Sequence, residues 1–106
     1  LPAYSEKLQG LVERTLPQVQ GMILMSPFFL ETNIKEPMRE LMDSYGAAAR
    51  GIAERNELRF VDLQAAFNAW LAHNHTSLLC EDRVHPNAVG HNIIASAFLD
   101  AVGFRW

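Results

Sequence analysis

The sequence predicts an α/β fold built on a parallel sheet, and two observations carry that expectation. A short continuous apolar run at 22–25 and the segment 58–61 read as strands, and segments of helical apolar spacing stand before, between and after them. Strands that alternate with helices imply parallel βα units, with helices layered against the sheet.

Each element has its own signal. Tyr4, Leu8, Leu11 and Val12 recur at helical spacing and predict an amphipathic helix over residues 4–15. Pro17 and Gly21 punctuate the stretch between this helix and the first strand. Met22-Ile23-Leu24-Met25 suits a strand covered on both faces, as in a parallel sheet. Ser26-Pro27 ends it, and residues 28–35 form a loop. Pro37 fits a first helical turn. Met38, Leu41, Met42, Tyr45, Ala49 and Ile52 then mark one face of a long helix that reaches Arg55, with Asn56 as its stop. Leu58-Arg59-Phe60-Val61 reads as the second strand. Asp62 caps a third helix with Leu63, Phe67, Trp70 and Leu71 on one face. Residues 73–85 are irregular. The last helix runs from Asn87 to Val102 and turns Val89, Ile93, Ile94, Phe98 and Ala101 inward. Trp70, Met38 and Met42 are expected in the core.

Two parallel strands with four helices leave a sheet edge and much helix surface uncovered. The apolar content, 49%, is that of a full core. The chain, residues 1–106, is therefore expected to be one partial domain, the C-terminal half of a larger α/β domain. By itself it should form a homo-oligomer, or pair with the missing N-terminal half. It does not begin with methionine, and a longer parent protein is expected.

Composition narrows the function classes. With 20% charged residues the chain is of the globular rather than the disordered type. Net charge is −3 and the nine Lys and Arg are scattered, which argues against nucleic acid as a partner. The longest apolar stretch, 22–30, is too short to span a bilayer and contains Ser26 and Pro27. The start, Leu1-Pro2-Ala3-Tyr4, is unlike a secretion signal. The single cysteine, Cys80, excludes an internal disulfide and fits a reducing, cytoplasmic location.

Chemistry concentrates in Asp82-Arg83-Val84-His85-Pro86-Asn87, followed by Gly90-His91. Pro86 disfavours helical geometry at His85, so Asp82 to His85 should lie on a turn, and Pro86-Asn87 suits the opening of a helix. Such a turn can hold an Asp oxygen on the histidine Nδ1–H and leave Nε2 free as a base. That is two thirds of a nucleophilic hydrolase triad.

The Asp-x-x-His-Pro-Asn-x-x-Gly-His stretch resembles the last sequence block of the SGNH (GDSL-type) hydrolases, serine esterases of three-layer α/β/α, flavodoxin-like fold. The stretches from Met22 to Asn33, Asp43 to Gly46 and Phe60 to Phe67 resemble the last two βα units of bacterial members that remove acetyl groups from carbohydrates. The resemblance covers essentially the whole chain. It implies His85 as general base and Asp82 as the residue that orients it. It implies hydrolysis of a short-chain, chiefly acetyl, ester on a saccharide, with no cofactor. Arg83 stands where a glycine is common in the family, a difference not expected to matter for catalysis.

The family's nucleophile comes from a Gly-Asp-Ser block, and its oxyanion hole is completed by a glycine and an asparagine of the middle blocks. Ser5, Ser26, Ser44, Ser77 and Ser96 lie in no Gly-Asp-Ser and no Gly-x-Ser-x-Gly elbow. Asn33 and Asn56 lie in no Gly-x-Asn-Asp context. The 106 residues alone are therefore expected to be inactive.

Phe28 and Phe29 follow a strand's C-terminal end, where ligands bind in open α/β sheets, and with Val84 they are candidate substrate-binding residues; core packing is the alternative for the two rings. Gly90 either lets the last helix pack closely on a neighbour or is merely tolerated. His91 is expected in a structural or supporting role. His73, His75 and Cys80 match no tight zinc spacing, so no metal is expected, and Cys80 reads as a small loop residue. Two readings from other classes stay open: a non-catalytic half-domain that binds sugar or assembles through its open edge, and a flavodoxin-like regulatory or nucleotide domain. The last lacks a phosphate-binding glycine loop.

Overall fold

Helix α1 (Pro2–Thr15) leads through a 3₁₀ turn (Leu16–Gln18) to strand β1 (Ile23–Met25). Helix α2 (Pro37–Arg55) crosses to strand β2 (Arg59–Val61), which feeds α3 (Leu63–Leu71); a second 3₁₀ turn (Thr76–Leu78) precedes α4 (Ala88–Ala101). The computed structural model describes residues 1–104. The two strands pair in parallel with Leu24 opposite Phe60, as the alternation of elements requires.

The caps explain where the helices begin and end. Pro37 opens α2 and the Glu36 carboxylate accepts from Arg39 N at 2.9 Å. Asp62 accepts from Ala65 N at 2.9 Å and starts α3 one residue after the strand. Asn56 stops α2, its side chain donating to Ile52 O at 2.8 Å, and Glu57 takes the left-handed turn.

Helix α1 packs on α2, where Tyr4 stacks on Tyr45 with centroids 4.7 Å apart. Burial and Tyr45 together push the Tyr4 phenol up. Helix α3 packs on α4, α2 rests on both strands and α4 on β2. The core joins Leu30, Phe67, Leu71, Leu79 and Cys80, with Phe28, Trp70, Ile93 and Ile94 partly buried against it. Cys80, read from sequence as a loop residue, is thus a core residue. The segment between α3 and α4 is irregular yet folds inward on Leu79.

Several inward assignments are corrected by the structure. Met38 and Leu41 are exposed, while Arg39 beside them is only 4% exposed. The first turns of α2 face the loop after β1 instead of the sheet. Arg39 buries its stem there because Asp43 accepts from its Nε at 2.8 Å and the Glu31 carbonyl from its Nη1 at 2.7 Å. Val89 and Phe98 are exposed because α4 meets the core through Ile93 and Ile94. Met25 is exposed too, so β1 is not covered on both faces.

A sheet of two strands leaves the far edge of β1 unpaired among the described residues. The molecule is a plate, 42 × 36 × 18 Å. Its accessible surface is 6924 Å², against about 5,900 Å² expected of a compact monomer of this mass. The layers are present, and their cover is partial.

Candidate active site

The loop after β1 is the platform of the site. Phe29 is fixed at both backbone groups by the buried Gln64 side chain, which accepts from its N at 2.8 Å and donates to its O at 3.1 Å. The next residue, Leu30, is fully buried; its N–H donates to Arg83 O at 2.9 Å and its carbonyl accepts from Thr76 Oγ1 at 2.7 Å. The loop thereby ties the segment before α4 to the sheet.

That segment closes as a short antiparallel bridge between Cys80 and Pro86. Asn87 donates from its backbone to Leu79 O at 2.6 Å and from its amide to Leu78 O at 2.9 Å. Its side-chain oxygen accepts from Gly90 N at 3.1 Å, capping α4. Gly90 is buried against Pro86: a Cβ placed there would lie 2.5 Å from Pro86 Cβ. The close packing that the sequence allowed for Gly90 is therefore made with the proline of its own motif.

Between the two arms of the bridge, Asp82 organises the turn. Its Oδ1 accepts from Val84 N at 3.0 Å and His85 N at 2.8 Å, and its Oδ2 lies 2.6 Å from His85 Nδ1. The His85 side-chain contact first, then the two backbone N–H groups, hold the Asp82 carboxyl well below the usual carboxylate range. An ionised Asp82 accepts the Nδ1 proton, so the neutral ring carries its lone pair on Nε2. The His85 side chain is 84% exposed, and its Nε2 has no partner among the described residues. The pair borders an open hollow of about 370 Å³ lined also by Ser77, Glu81 and Asn87.

Arg83 sits inside this turn with φ +66°, a left-handed conformation that costs a non-glycine residue about 1–2 kcal/mol. Its guanidinium meets Glu31 at 2.7 Å and lies over the Phe29 ring, 5.0 Å from the centroid. The Asn33 N–H and Arg83 lower the Glu31 pKa.

The other candidates fall in different places. Phe29 is buried beneath Arg83, and Phe28 lies on Phe67 with centroids 4.8 Å apart, so both rings face the core and neither lines the hollow beside His85. Val84 is exposed on the turn itself. His91 is exposed, and it is not among the residues that line the hollow beside His85. Among the described residues no three His, Cys, Asp or Glu side chains gather as a metal site. His75 Nδ1 is occupied by Ser77 Oγ at 2.8 Å. Ser77 is the serine that borders the hollow, and among the described residues no serine hydroxyl reaches His85. Among those residues, too, no helix is long and apolar enough to cross a membrane.

Sequence reasoning missed Glu31, Gln64 and Thr76. Glu31 and Thr76 look like ordinary loop residues, and Gln64 like a polar position in a helix's first turn. The one available signal was Arg83 standing where glycine is common, which asks what a long side chain does on a left-handed turn.

The sequence pattern of the GDSL-like lipase/acylhydrolase family matches residues 1–98. An acetylxylan esterase from Geobacillus stearothermophilus is 48% identical over 106 residues, all of this chain and 48% of that enzyme. The chain thus spans about half the length of the curated relative it matches. The solved structure of an acetylxylan esterase from that organism superposes with a TM-score of 0.95 over 97% of this chain and 47% of the other, at 48% identity. An α/β hydrolase enzyme from the metagenome of Lake Arreo, Spain, superposes with a TM-score of 0.92 over 94% of this chain and 46% of the other, at 49% identity. Two further structures of the Geobacillus enzyme replace with alanine an aspartate and a histidine three positions apart, and a third replaces a serine; all are described as catalytic mutants. The two parallel strands and four helices match the α/β fold of these neighbours. With its last-block motif on a capped turn and nearly its whole length matched, the chain belongs to the GDSL-like lipase/acylhydrolase family.

Proposed function

We propose that this chain carries the base and the orienting acid of a serine ester hydrolase that removes short acyl groups, chiefly acetyl, from a carbohydrate. The contact of Asp82 Oδ2 with His85 Nδ1 at 2.6 Å, with Nε2 turned to open space, is the observation that carries the reading. The likeness to an acetylxylan esterase supports the substrate class. The same spacing of aspartate and histidine in that enzyme's catalytic mutants supports the two residues.

The chemistry follows from the geometry. A serine hydroxyl is a weak nucleophile until a base takes its proton. His85 Nε2 accepts that proton as the oxygen attacks the ester carbonyl, and returns it to the leaving sugar oxygen when the tetrahedral intermediate collapses. Water then repeats the sequence on the acyl-enzyme and releases the acid. Asp82 keeps the tautomer and stabilises the imidazolium while it exists. The nucleophile and the oxyanion donors come from residues beyond these 106, which contain no Gly-Asp-Ser. Neither a cofactor nor a metal enters this mechanism, and a cytoplasmic location accompanies it.

Acetate release from acetylated xylo-oligosaccharides by the intact gene product carrying these residues tests the reading. Turnover should fall at least about 10⁴-fold in His85→Ala with the fold retained. Near-full activity in that variant would sink the assignment. The 106-residue chain alone should release no acetate. A second reading, a non-catalytic module that binds sugar or assembles through the unpaired edge of β1, is favoured by that edge. It gains ground if the intact gene product binds such oligosaccharides without hydrolysing them.

A further inference from the structure

Among the described residues, and apart from the bridge and the N-cap that close its base, the turn carrying Asp82 and His85 is tied to the rest of the protein by the bonds of Arg83. Two kinds of contact meet there. The backbone carbonyl of Arg83 accepts from the buried Leu30 N–H at 2.9 Å. The side chain reaches back over the same loop, with Nη1 on Glu31 Oε1 at 2.7 Å and the guanidinium carbon over the Phe29 ring. Glu31 is itself held: its Oε2 accepts from Asn33 N at 3.0 Å and its carbonyl from the buried Arg39 at 2.7 Å. Phe29 is pinned by Gln64. The clamp therefore ends on fixed groups, while Asp82 and His85 are both exposed.

The conformation of Arg83 sharpens the point. A left-handed φ of +66° suits glycine, and an arginine adopts it against its own steric preference. A glycine would give the turn its shape and keep the carbonyl's bond to Leu30, but it would supply no side chain to reach Glu31 and Phe29. Contrary to the expectation from the family pattern that Arg83 does not matter for catalysis, we infer that Arg83, clamped between Glu31 and Phe29, is a positioning residue that fixes the Asp82–His85 turn on the loop after β1 and so sets where His85 Nε2 points. This rests on the reading of Asp82 and His85 as orienter and base.

A delocalised cation that sits over an aromatic ring while it donates to a carboxylate is what arginine supplies and lysine supplies only in part. Arg83→Gly relieves the backbone and removes the clamp, Glu31→Gln weakens the clamp from the other side, and Arg83→Lys keeps the charge. Nuclear magnetic resonance on the chain reads the turn directly. In Arg83→Gly and Glu31→Gln, the Asp82 carboxyl should titrate closer to the ordinary carboxylate range. The Val84 and His85 amides should exchange about tenfold faster, the loosening expected when an ion pair and a cation–π contact are lost together. The global urea midpoint of Arg83→Gly should stay or rise, which a merely structural role does not allow. In the intact gene product, kcat should fall about tenfold with KM unchanged and recover in part in Arg83→Lys.

Unchanged Asp82 titration and amide exchange in both variants would overturn the clamp. So would full kcat in Arg83→Gly. Should Arg83→Gly fail to fold, Glu31→Gln decides. If His85→Ala retains activity, the reading of the base fails instead, while the resonance data on Arg83→Gly still decide whether the residue holds the turn.

Discussion

Two glycine-to-alanine substitutions should move stability in opposite directions. Gly46 and Gly90 both lie inside helices, α2 and α4. An alanine in a helix interior is favoured over glycine by about 0.5–1 kcal/mol, since glycine loses more backbone freedom on folding. At Gly46 a Cβ meets only Ser26 Cβ at 3.7 Å, an ordinary contact, so the helix preference acts alone. At Gly90 the added carbon sits 2.5 Å from Pro86 Cβ and 3.5 Å from Leu79 O. Carbon atoms rest at about 3.5–4.0 Å, so the two must separate by about 1 Å. The Pro86 ring is rigid and its backbone is bridged to Cys80, so it has no rotamer into which to retreat. Overpacking of this kind costs about 1–3 kcal/mol, from which the helix preference returns at most about 1. Gly46→Ala should therefore stabilise by about 0.5–1 kcal/mol, and Gly90→Ala should destabilise by up to about 2.5 kcal/mol. Urea denaturation at matched slope measures both. In the second variant His85, bonded to Pro86, should also shift its ring resonances. A Gly90→Ala protein as stable as Gly46→Ala would refute the close approach of α4 to Pro86, and with it the account of why the motif carries a glycine there.

Four other expectations concern the site and its surroundings. Asp82→Asn should lower kcat of the intact gene product about 10⁴-fold, because a neutral amide no longer enforces the tautomer; a loss under tenfold contradicts the orienting role. Stability should fall on acidification. The Asp82 carboxyl takes up its proton more readily in the unfolded chain than in the native one, so its contribution is whole above about pH 5 and is lost as pH falls toward the native value. Glu31 acts in the same direction, and denaturation of Asp82→Asn should show a shallower dependence below about pH 5. Arg39→Met should cost about 1–3 kcal/mol in chemical denaturation by leaving the Glu31 carbonyl unpaired; an unchanged midpoint would show that water reaches that carbonyl. The chain alone should associate in sedimentation experiments, through the unpaired edge of β1 and the exposed Met25, and a stable monomer at high concentration contradicts the partial-domain reading.

Much of the fold was legible because local signals agree. Pro37, Asp62 and Asn87 each open a helix at the residue expected of them, and the two strand segments have no helical period to compete with. Burial was less legible for a reason of geometry. A period of apolar residues reports which side of a helix is apolar, not whether anything lies against it. Met38, Leu41, Val89 and Phe98 satisfy the period and remain exposed, whereas Arg39 breaks it and is buried by partners on a loop and on its own helix. The pairing of Asp82 with His85 was legible because it is local, three residues closed by one proline. The roles of Glu31, Gln64 and Thr76 were not, since each depends on a contact with a residue at least 35 positions away, which no local pattern encodes.

That locality has a hereditary side. Asp82 and His85 are separated by two residues, and the hydrogen bonds that set their mutual geometry begin and end within those four positions. Insertions or deletions in the loops at 28–36 or 72–78 can lengthen or shorten the approach to the pair without altering the distance between its two members. Such a change moves the two side chains together, as one unit, relative to the rest of the protein.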